Sequence, residues 1–149
     1  MIPEFDPSTG NLPPGEHRAT WDELVARFGQ TEWRAELLAG LRAAVASLKA
    51  AGCRRVYLDG SFVTAKEHPG DYDGCWDTEG VDFDLLDEIA PALLTFDAGR
   101  ATQKAKYRGE LFLDDSQADK IGTLFREFFQ MDRDRNRKGI VVIELKDLT

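Results

Sequence analysis

Residues 55–76 read RVYLDGSFVTAKEHPGDYDGCW, and this stretch decides the fold. Arg55 to Asp59 is a short apolar run that predicts a strand, and Gly60-Ser61 ends it. Pro69-Gly70 predicts a turn, and Tyr72 to Trp76 predicts a second strand. We expect the two strands to lie side by side, which would bring the Gly-Ser turn next to the second strand.

The chain before this stretch predicts two helices. Thr20 and Glu23 form a capping box for a helix that ends near Phe28, and Thr31 caps a longer helix that ends at Gly52. The longer helix carries one apolar stripe at spacings of three and four: Leu37, Leu38, Leu41, Val45 and Leu48. Residues 1–19 are rich in proline, glycine and polar groups, and are predicted to form an irregular arm.

The chain after this stretch alternates further helices and strands. A helical segment around Leu85 to Ile89 is broken by Pro91, and residues 92–103 fit neither pattern. Tyr107 to Leu113 predicts a strand, Ala118 to Phe129 a helix, and Ile140 to Ile143 a central strand. The whole chain, 1–149, is therefore predicted to be one α+β domain with a short mixed sheet packed against helices.

Composition excludes several classes of protein. The chain has 149 residues, 42% of them hydrophobic, and a net charge of −8, which argues against a protein that grips duplex nucleic acid by bulk charge. It has no run of 18 apolar residues and no basic, apolar leader at its start, so we expect neither membrane insertion nor secretion. Cys53 and Cys75 form no CxxC pair. Two reduced thiols in a cytoplasmic protein are the plain interpretation.

The residues after the first strand are suited to phosphate chemistry. Glycine permits close approach of a phosphate to the backbone, and the hydroxyl of Ser61 can donate to a phosphate oxygen. Asp71 and Asp73 are two residues apart on a strand, so both carboxylates point the same way, and Mg²⁺ prefers such oxygen ligands. Two other Asp-x-Asp pairs, at 82–84 and 132–134, do not follow a strand and a Gly-Ser turn.

This arrangement resembles the nucleotidyltransferase superfamily, whose signature is a strand, Gly-Gly or Gly-Ser, a spacer and Asp-x-Asp or Asp-x-Glu. Here the spacer between Gly60-Ser61 and Asp71 covers residues 62–70. More narrowly, the residues Phe62-Val63-Thr64, Lys66 and Pro69 in the spacer are similar to those of small bacterial nucleotidyltransferase-like proteins related to toxin–antitoxin and antiphage-defence enzymes. The terminal segments Leu12-Pro13-Pro14-Gly15 and Lys138-Gly139-Ile140-Val141-Val142 are also similar to that group.

The resemblance implies an enzyme that transfers a nucleoside monophosphate from an NTP or dNTP to a hydroxyl. Two Mg²⁺ ions would be held by Asp71 and Asp73, with Glu110 as the third carboxylate; Asp77, Asp114 and Glu144 are weaker candidates for that role. Gly60 and Ser61 would hold the triphosphate. Lys66 can reach a phosphate or be a solvated loop lysine. A tRNA end, a protein hydroxyl or a growing oligonucleotide is the implied acceptor.

Other interpretations stay open. The chain can be a catalytically weak antitoxin or binding module that neutralises a partner protein, or a structural domain with accidental motifs. A homo-oligomer or a complex with the product of a neighbouring gene would close a site that so small a chain leaves open. Lys104, Lys106 and Arg108 can hold a triphosphate or an RNA or DNA end, or form an exposed strand edge. Trp21, Trp33 and Phe128 are assigned to the core.

Overall fold

The computed structural model describes residues 1–148 as an α+β fold with one five-stranded mixed sheet, as the sequence predicts. The strands are β1 (Gly15–Ala19), β2 (Arg55–Asp59), β3 (Tyr72–Trp76), β4 (Gly109–Leu113) and β5 (Gly139–Glu144). The helices are α1 (Trp21–Phe28), α2 (Glu32–Ala50), α3 (Phe83–Ile89), α4 (Ala101–Tyr107) and α5 (Phe125–Phe128).

The strand order across the sheet is β1-β5-β2-β3-β4. The pairs β1–β5 and β3–β4 are parallel, whereas β2 is antiparallel to both of its neighbours. The predicted pairing of β2 with β3 is therefore confirmed, and it sets Asp59 opposite Asp73. The apolar strand β5 lies inside the sheet, with a partner on each side, as its sequence predicts.

The helices α1 to α4 cover one face of the sheet, which we call the helical face. Inward residues of α2 pack here against alternate residues of the strands, such as Val56 and Leu58 of β2 and Val141 of β5. The helix approaches α4 closely at Gly40, where a Cβ atom would lie 2.1 Å from the carbonyl oxygen of Tyr107. This apolar face holds most of the buried core.

The opposite face, which we call the second face, carries the other set of alternate strand residues. Tyr57, Cys75, Ile140 and Val142 form a small cluster there, covered by Phe129 and its neighbours in the segment 114–138. Only one short helix, α5, interrupts that segment. The second face is thus covered mainly by irregular chain, and polar residues lie at one end of it.

The prediction of an irregular arm over residues 1–19 is wrong for its last five residues. Residues 15–19 form β1, an edge strand parallel to β5. The pairing joins residues more than 120 positions apart, so local sequence carries no signal for it. An ion pair of 2.7 Å between Arg18 and Glu144 supports it.

Two boundaries in the second half of the chain are also wrong. Tyr107 ends α4 rather than starting a strand, because Arg108 takes a left-handed conformation (φ 67°) that stops the helix before β4. The predicted helix over Ala118 to Phe129 is reduced to α5. The Asp119 carboxylate accepts backbone N–H groups of Ile121 and Thr123, and this turn replaces the helix.

The helix starts follow the sequence closely. Thr20 and Glu23 form the predicted capping box of α1, and the Thr31 hydroxyl accepts the N–H of Arg34 at the start of α2. Among residues 1–148, no helix is long and apolar enough to cross a membrane.

Candidate active site

Three carboxylates form a row across the second face, at the end of β2. Asp59 pairs with Asp73 across β2 and β3, and Asp73 pairs with Glu110 across β3 and β4. Neighbouring residues in register point to the same face, so all three side chains lie together. Asp71 precedes Asp73 by two residues and therefore joins the row from the start of β3.

Asp71, Asp73 and Glu110 form the tightest part of this group. One carboxylate oxygen from each lies within 4.8 Å of the others, and all three residues are partly buried. The neighbouring cation is Lys104 on α4, whose Nζ lies 2.8 Å from Glu110 Oε1. The structure thus brings together the three carboxylates that the sequence singled out as metal ligands.

The electrostatics of this cluster disfavour three bare negative charges. Burial, followed by the neighbouring charges of Asp71, Glu110 and Asp59, raises the pKa of Asp73 to about 7. Burial and the charge of Glu110 also raise the pKa of Asp71, while Lys104 opposes both shifts. A bound cation would relieve this repulsion, and oxygen donors are the ligands that Mg²⁺ prefers. The residues present therefore fit a magnesium site.

Gly60 is required by the geometry of the turn beside these carboxylates. Its φ of 82° is in the region that favours glycine, and a Cβ atom there would lie 2.6 Å from Asp73 Oδ2. Ser61 then begins a single 3₁₀ turn, and the exposed Lys66 follows in the same loop. Gly60, Ser61 and Lys66 line one cavity together with Asp73, so the sequence-predicted phosphate contacts lie beside the carboxylates.

Arg34 fixes the loop that follows Ser61. This side chain extends from α2 and is buried, with 6% of its surface exposed. Its guanidinium donates to the carbonyl oxygens of Phe28 (3.3 Å), Phe62 (2.7 Å), Thr64 (3.3 Å) and Lys66. No carboxylate forms an ion pair with Arg34 among residues 1–148. Its buried charge is compensated by these carbonyl groups and by the Phe62 ring, whose centroid lies 5.0 Å from the guanidinium carbon.

Asp59 and Lys138 form a buried ion pair next to the same turn. Lys138 Nζ lies 2.9 Å from Asp59 Oδ1, and both side chains are largely shielded from solvent. Burial raises the pKa of Asp59, and the charge of Lys138 opposes that shift. The pair joins the end of β2 to the residue that precedes β5. Removal of either partner would leave the other as an unpaired buried charge.

The weaker candidates for the third carboxylate lie elsewhere. Asp77 and Asp114 follow β3 and β4, at the opposite end of those strands, and Asp77 pairs with Arg54. Glu144 ends β5 and pairs with Arg18 and Arg55. None of these three residues belongs to the cluster of Asp71, Asp73 and Glu110.

In the comparison with known protein families, a family sequence model matches residues 3–144. The chain belongs to the DUF6932 family. That family is described as one of unknown function. No curated protein and no solved structure matches the chain.

Sequence reasoning missed several residues at this end of the DUF6932 sheet. Asp59 follows Tyr57 by two positions on β2, and that spacing is the signal that could have placed it on the second face. Lys104 lies on helix α4 and not on an exposed strand edge. Its ion pair with Glu110 forms through the packing of α4 next to β4, which the sequence did not predict. The prediction that Phe128 belongs to the core is wrong, because 41% of its surface is exposed and it lines the cavity.

Proposed function

We propose that this protein is a Mg²⁺-dependent nucleotidyltransferase that transfers a nucleoside monophosphate from an NTP or dNTP to a hydroxyl acceptor. The observation that carries the proposal is the cluster of Asp71, Asp73 and Glu110, within 4.8 Å, beside the Gly60-Ser61 turn. Gly60, Ser61, Asp71 and Asp73 are also the residues that resemble the nucleotidyltransferase signature, and Glu110 takes the place of the third carboxylate that the resemblance implies. Acceptors consistent with the resemblance are a nucleic-acid end, a protein hydroxyl or a growing oligonucleotide.

In this proposal the three carboxylates would hold two Mg²⁺ ions, which would neutralise phosphate charge and favour ionisation of the acceptor hydroxyl. Gly60 allows the triphosphate to approach the backbone, and Ser61 and Lys66 contact phosphate oxygens. The acceptor oxygen bonds to the α-phosphorus, the bond from that phosphorus to the β-phosphate oxygen breaks, and pyrophosphate leaves. Glu110 helps to take up the acceptor proton, and Lys104 fixes the position of Glu110.

The role of Arg34 in this proposal follows from its buried position behind the loop. Arg34 keeps the loop after Ser61 in one conformation, which limits how far Lys66 can move away from the cavity. Positioning of this kind can supply several kcal/mol of catalysis. In this proposal a macromolecular acceptor, or a second chain, identical or from a neighbouring gene, would close the site.

The test is incubation of the full chain with α-³²P-labelled NTPs and dNTPs and Mg²⁺, with RNA, DNA or a partner protein, read on denaturing gels. We expect label transfer that EDTA and Asp73→Asn abolish and that Asp84→Asn, an exposed Asp-x-Asp residue on α3, leaves unchanged. Binding of Mg²⁺ and nucleotide without pyrophosphate release would favour the binding-module interpretation instead. No metal binding at all would overturn both.

A further inference from the structure

A cavity of about 820 Å³ lies on the second face, next to the Gly60-Ser61 turn. Its volume falls within the range of about 300–1,000 Å³ that is usual for small-molecule sites. Of the three clustered carboxylates, only Asp73 lines it. Glu110 lies on β4, on the side of β3 away from β2, so the cavity meets the cluster at Asp73.

The outer wall of the cavity is the turn over residues 131–138. A bridge between Met131 and Arg137 closes this turn, and the Asp132 carboxylate accepts the N–H groups of Asp134 and Asn136 within it. The turn is thus held by its bridge and by the Asp132 carboxylate, and neither of these contacts uses an arginine side chain.

Two arginines of this turn face the cavity without a hydrogen-bonded protein partner. Arg133 and Arg135 both line it and are exposed, and neither guanidinium makes a hydrogen bond or ion pair among residues 1–148. The pKa of Asp119 is lowered chiefly by its hydrogen bonds with Thr123, and the charge of Arg135 adds a smaller effect at longer range. Arg137, in the same turn, does not line the cavity and instead pairs with Glu127 at 3.2 Å. The turn therefore separates its arginines into two that are available to a ligand and one that is not.

The remaining walls combine an aromatic ring with compensated charges. Phe128 presents a partly exposed ring, supported from behind by Phe125 and Phe129. Of the acidic groups, Asp59 is paired with Lys138, while Asp119 and Asp132 accept backbone N–H groups. Among the described residues that line the cavity, the cations without an ion pair are Lys66, Arg133 and Arg135.

We propose that this cavity binds the nucleoside triphosphate itself: Arg133 and Arg135 contact the polyphosphate, and Phe128 stacks on the base. The inference rests on the proposed function, and it assigns the donor to the cavity side of Asp73 and the acceptor to the Glu110 side. Available guanidinium groups suit phosphate oxygens, and an exposed ring suits any base face. A compact cavity on a chain of net charge −8 fits one nucleotide better than a nucleic-acid strand, which needs a row of phosphate contacts.

Binding is measured by calorimetry with Mg²⁺ and the α,β-methylene analogues of ATP, GTP, CTP and UTP, which cannot be cleaved at the α-phosphorus. The double variant Arg133→Ala/Arg135→Ala should weaken the best of these ligands at least about tenfold, and Arg137→Ala should change its affinity less than about twofold. Phe128→Ala should weaken the analogue but leave inorganic tripolyphosphate unchanged. Circular dichroism of each variant checks that the fold is intact.

Equal losses in the Arg137 control and the double variant, or no loss in either, would overturn the inference. The inference would also fail if the double variant lost binding of a fluorescent oligonucleotide but kept binding of the analogue. The cavity would then hold a nucleic-acid strand. The two proposals fail separately. Transfer with an unchanged KM in the double variant refutes only this assignment of the cavity, whereas arginine-dependent analogue binding without transfer refutes only the proposed catalysis.

Discussion

The helical face and the second face are built from the same strands, yet they differ in what covers them. On the helical face, α1 to α4 bury a continuous apolar core that contains Phe62, Leu58 and Val141. On the second face, a small apolar cluster stops short of the row formed by Asp59, Asp73 and Glu110. The comparison shows a division of roles: one face supplies stability, and the other holds charged groups that a packed core would not tolerate.

Truncation of the core should have the largest effect on stability. Phe62 is fully buried between α1 and β3, where it contacts Phe28 and Tyr72. Phe62→Ala should lower the free energy of unfolding by about 3–5 kcal/mol, because it leaves a cavity. On the second-face segment, Ile121 is 73% exposed, and Ile121→Ala should change stability by less than about 0.5 kcal/mol. Urea unfolding followed by circular dichroism measures both, and similar losses would contradict the division between the faces.

Removal of one carboxylate should have the largest effect on activity. Asp71→Asn and Asp73→Asn should each reduce transfer at least about 100-fold, since each removes a metal ligand and part of the charge stabilisation in the transition state. Both variants should fold, because each replaces a mutually repelled carboxylate by an amide of the same shape. Label transfer by each variant and by the wild type is compared on gels at equal protein concentration. Near-normal transfer by either variant would show that the substituted residue is not a metal ligand.

The second face should also make stability depend on pH in the metal-free protein. The pKa of Asp73 is raised to about 7, so the folded state keeps a proton that the unfolded state has already lost. The contribution of Asp73 to the free energy of unfolding is therefore largest at low pH. It falls as the pH rises from about 4 to 7, by at most about 1.4 kcal/mol per pH unit. Thermal melts in EDTA between about pH 5 and 8 should show this decline.

Two controls sharpen the pH experiment. Asp73→Asn should flatten the decline, because it removes the titrating group. Mg²⁺ should raise the melting temperature more at about pH 8 than at about pH 5, because binding requires the ionised carboxylates. A wild-type decline that persists unchanged in Asp73→Asn would assign it to another group.

A smaller effect is expected where the glycine of the turn meets Asp73. Gly60→Ala should cost about 1–2 kcal/mol from the positive φ, and its Cβ would displace the Asp73 carboxylate. The stabilisation by Mg²⁺ in thermal melts should therefore decrease. Gly70→Ala is the matched control, since a Cβ added there would meet nothing within 4 Å and the φ of Gly70 is not positive. Equal Mg²⁺ responses in the two variants would show that the turn does not shape the carboxylate site.

Local sequence determined the parts of the fold whose signals lie close together in the chain. The capping residues Thr20 and Thr31 set the helix starts, and two short strand signals separated by the Pro69-Gly70 turn predicted the pairing of β2 with β3. The two-residue spacing of Asp71 and Asp73 predicted that they share a face, and Glu110 was selected by its strand and by the resemblance. These features depend on neighbouring residues, so periodicity and turn chemistry are sufficient to find them.

Only the tertiary structure decided which distant groups meet. The pairing of β1 with β5, the ion pairs of Lys138 with Asp59 and of Lys104 with Glu110, and the four carbonyl contacts of Arg34 join separate parts of the chain. The helix predicted over residues 118–129 does not form along its full length. The Asp119 carboxylate accepts a backbone N–H group there, and Phe125 and Phe129 pack against the second face. Such contacts depend on how the sheet is ordered in space, and no local pattern in the sequence encodes that order.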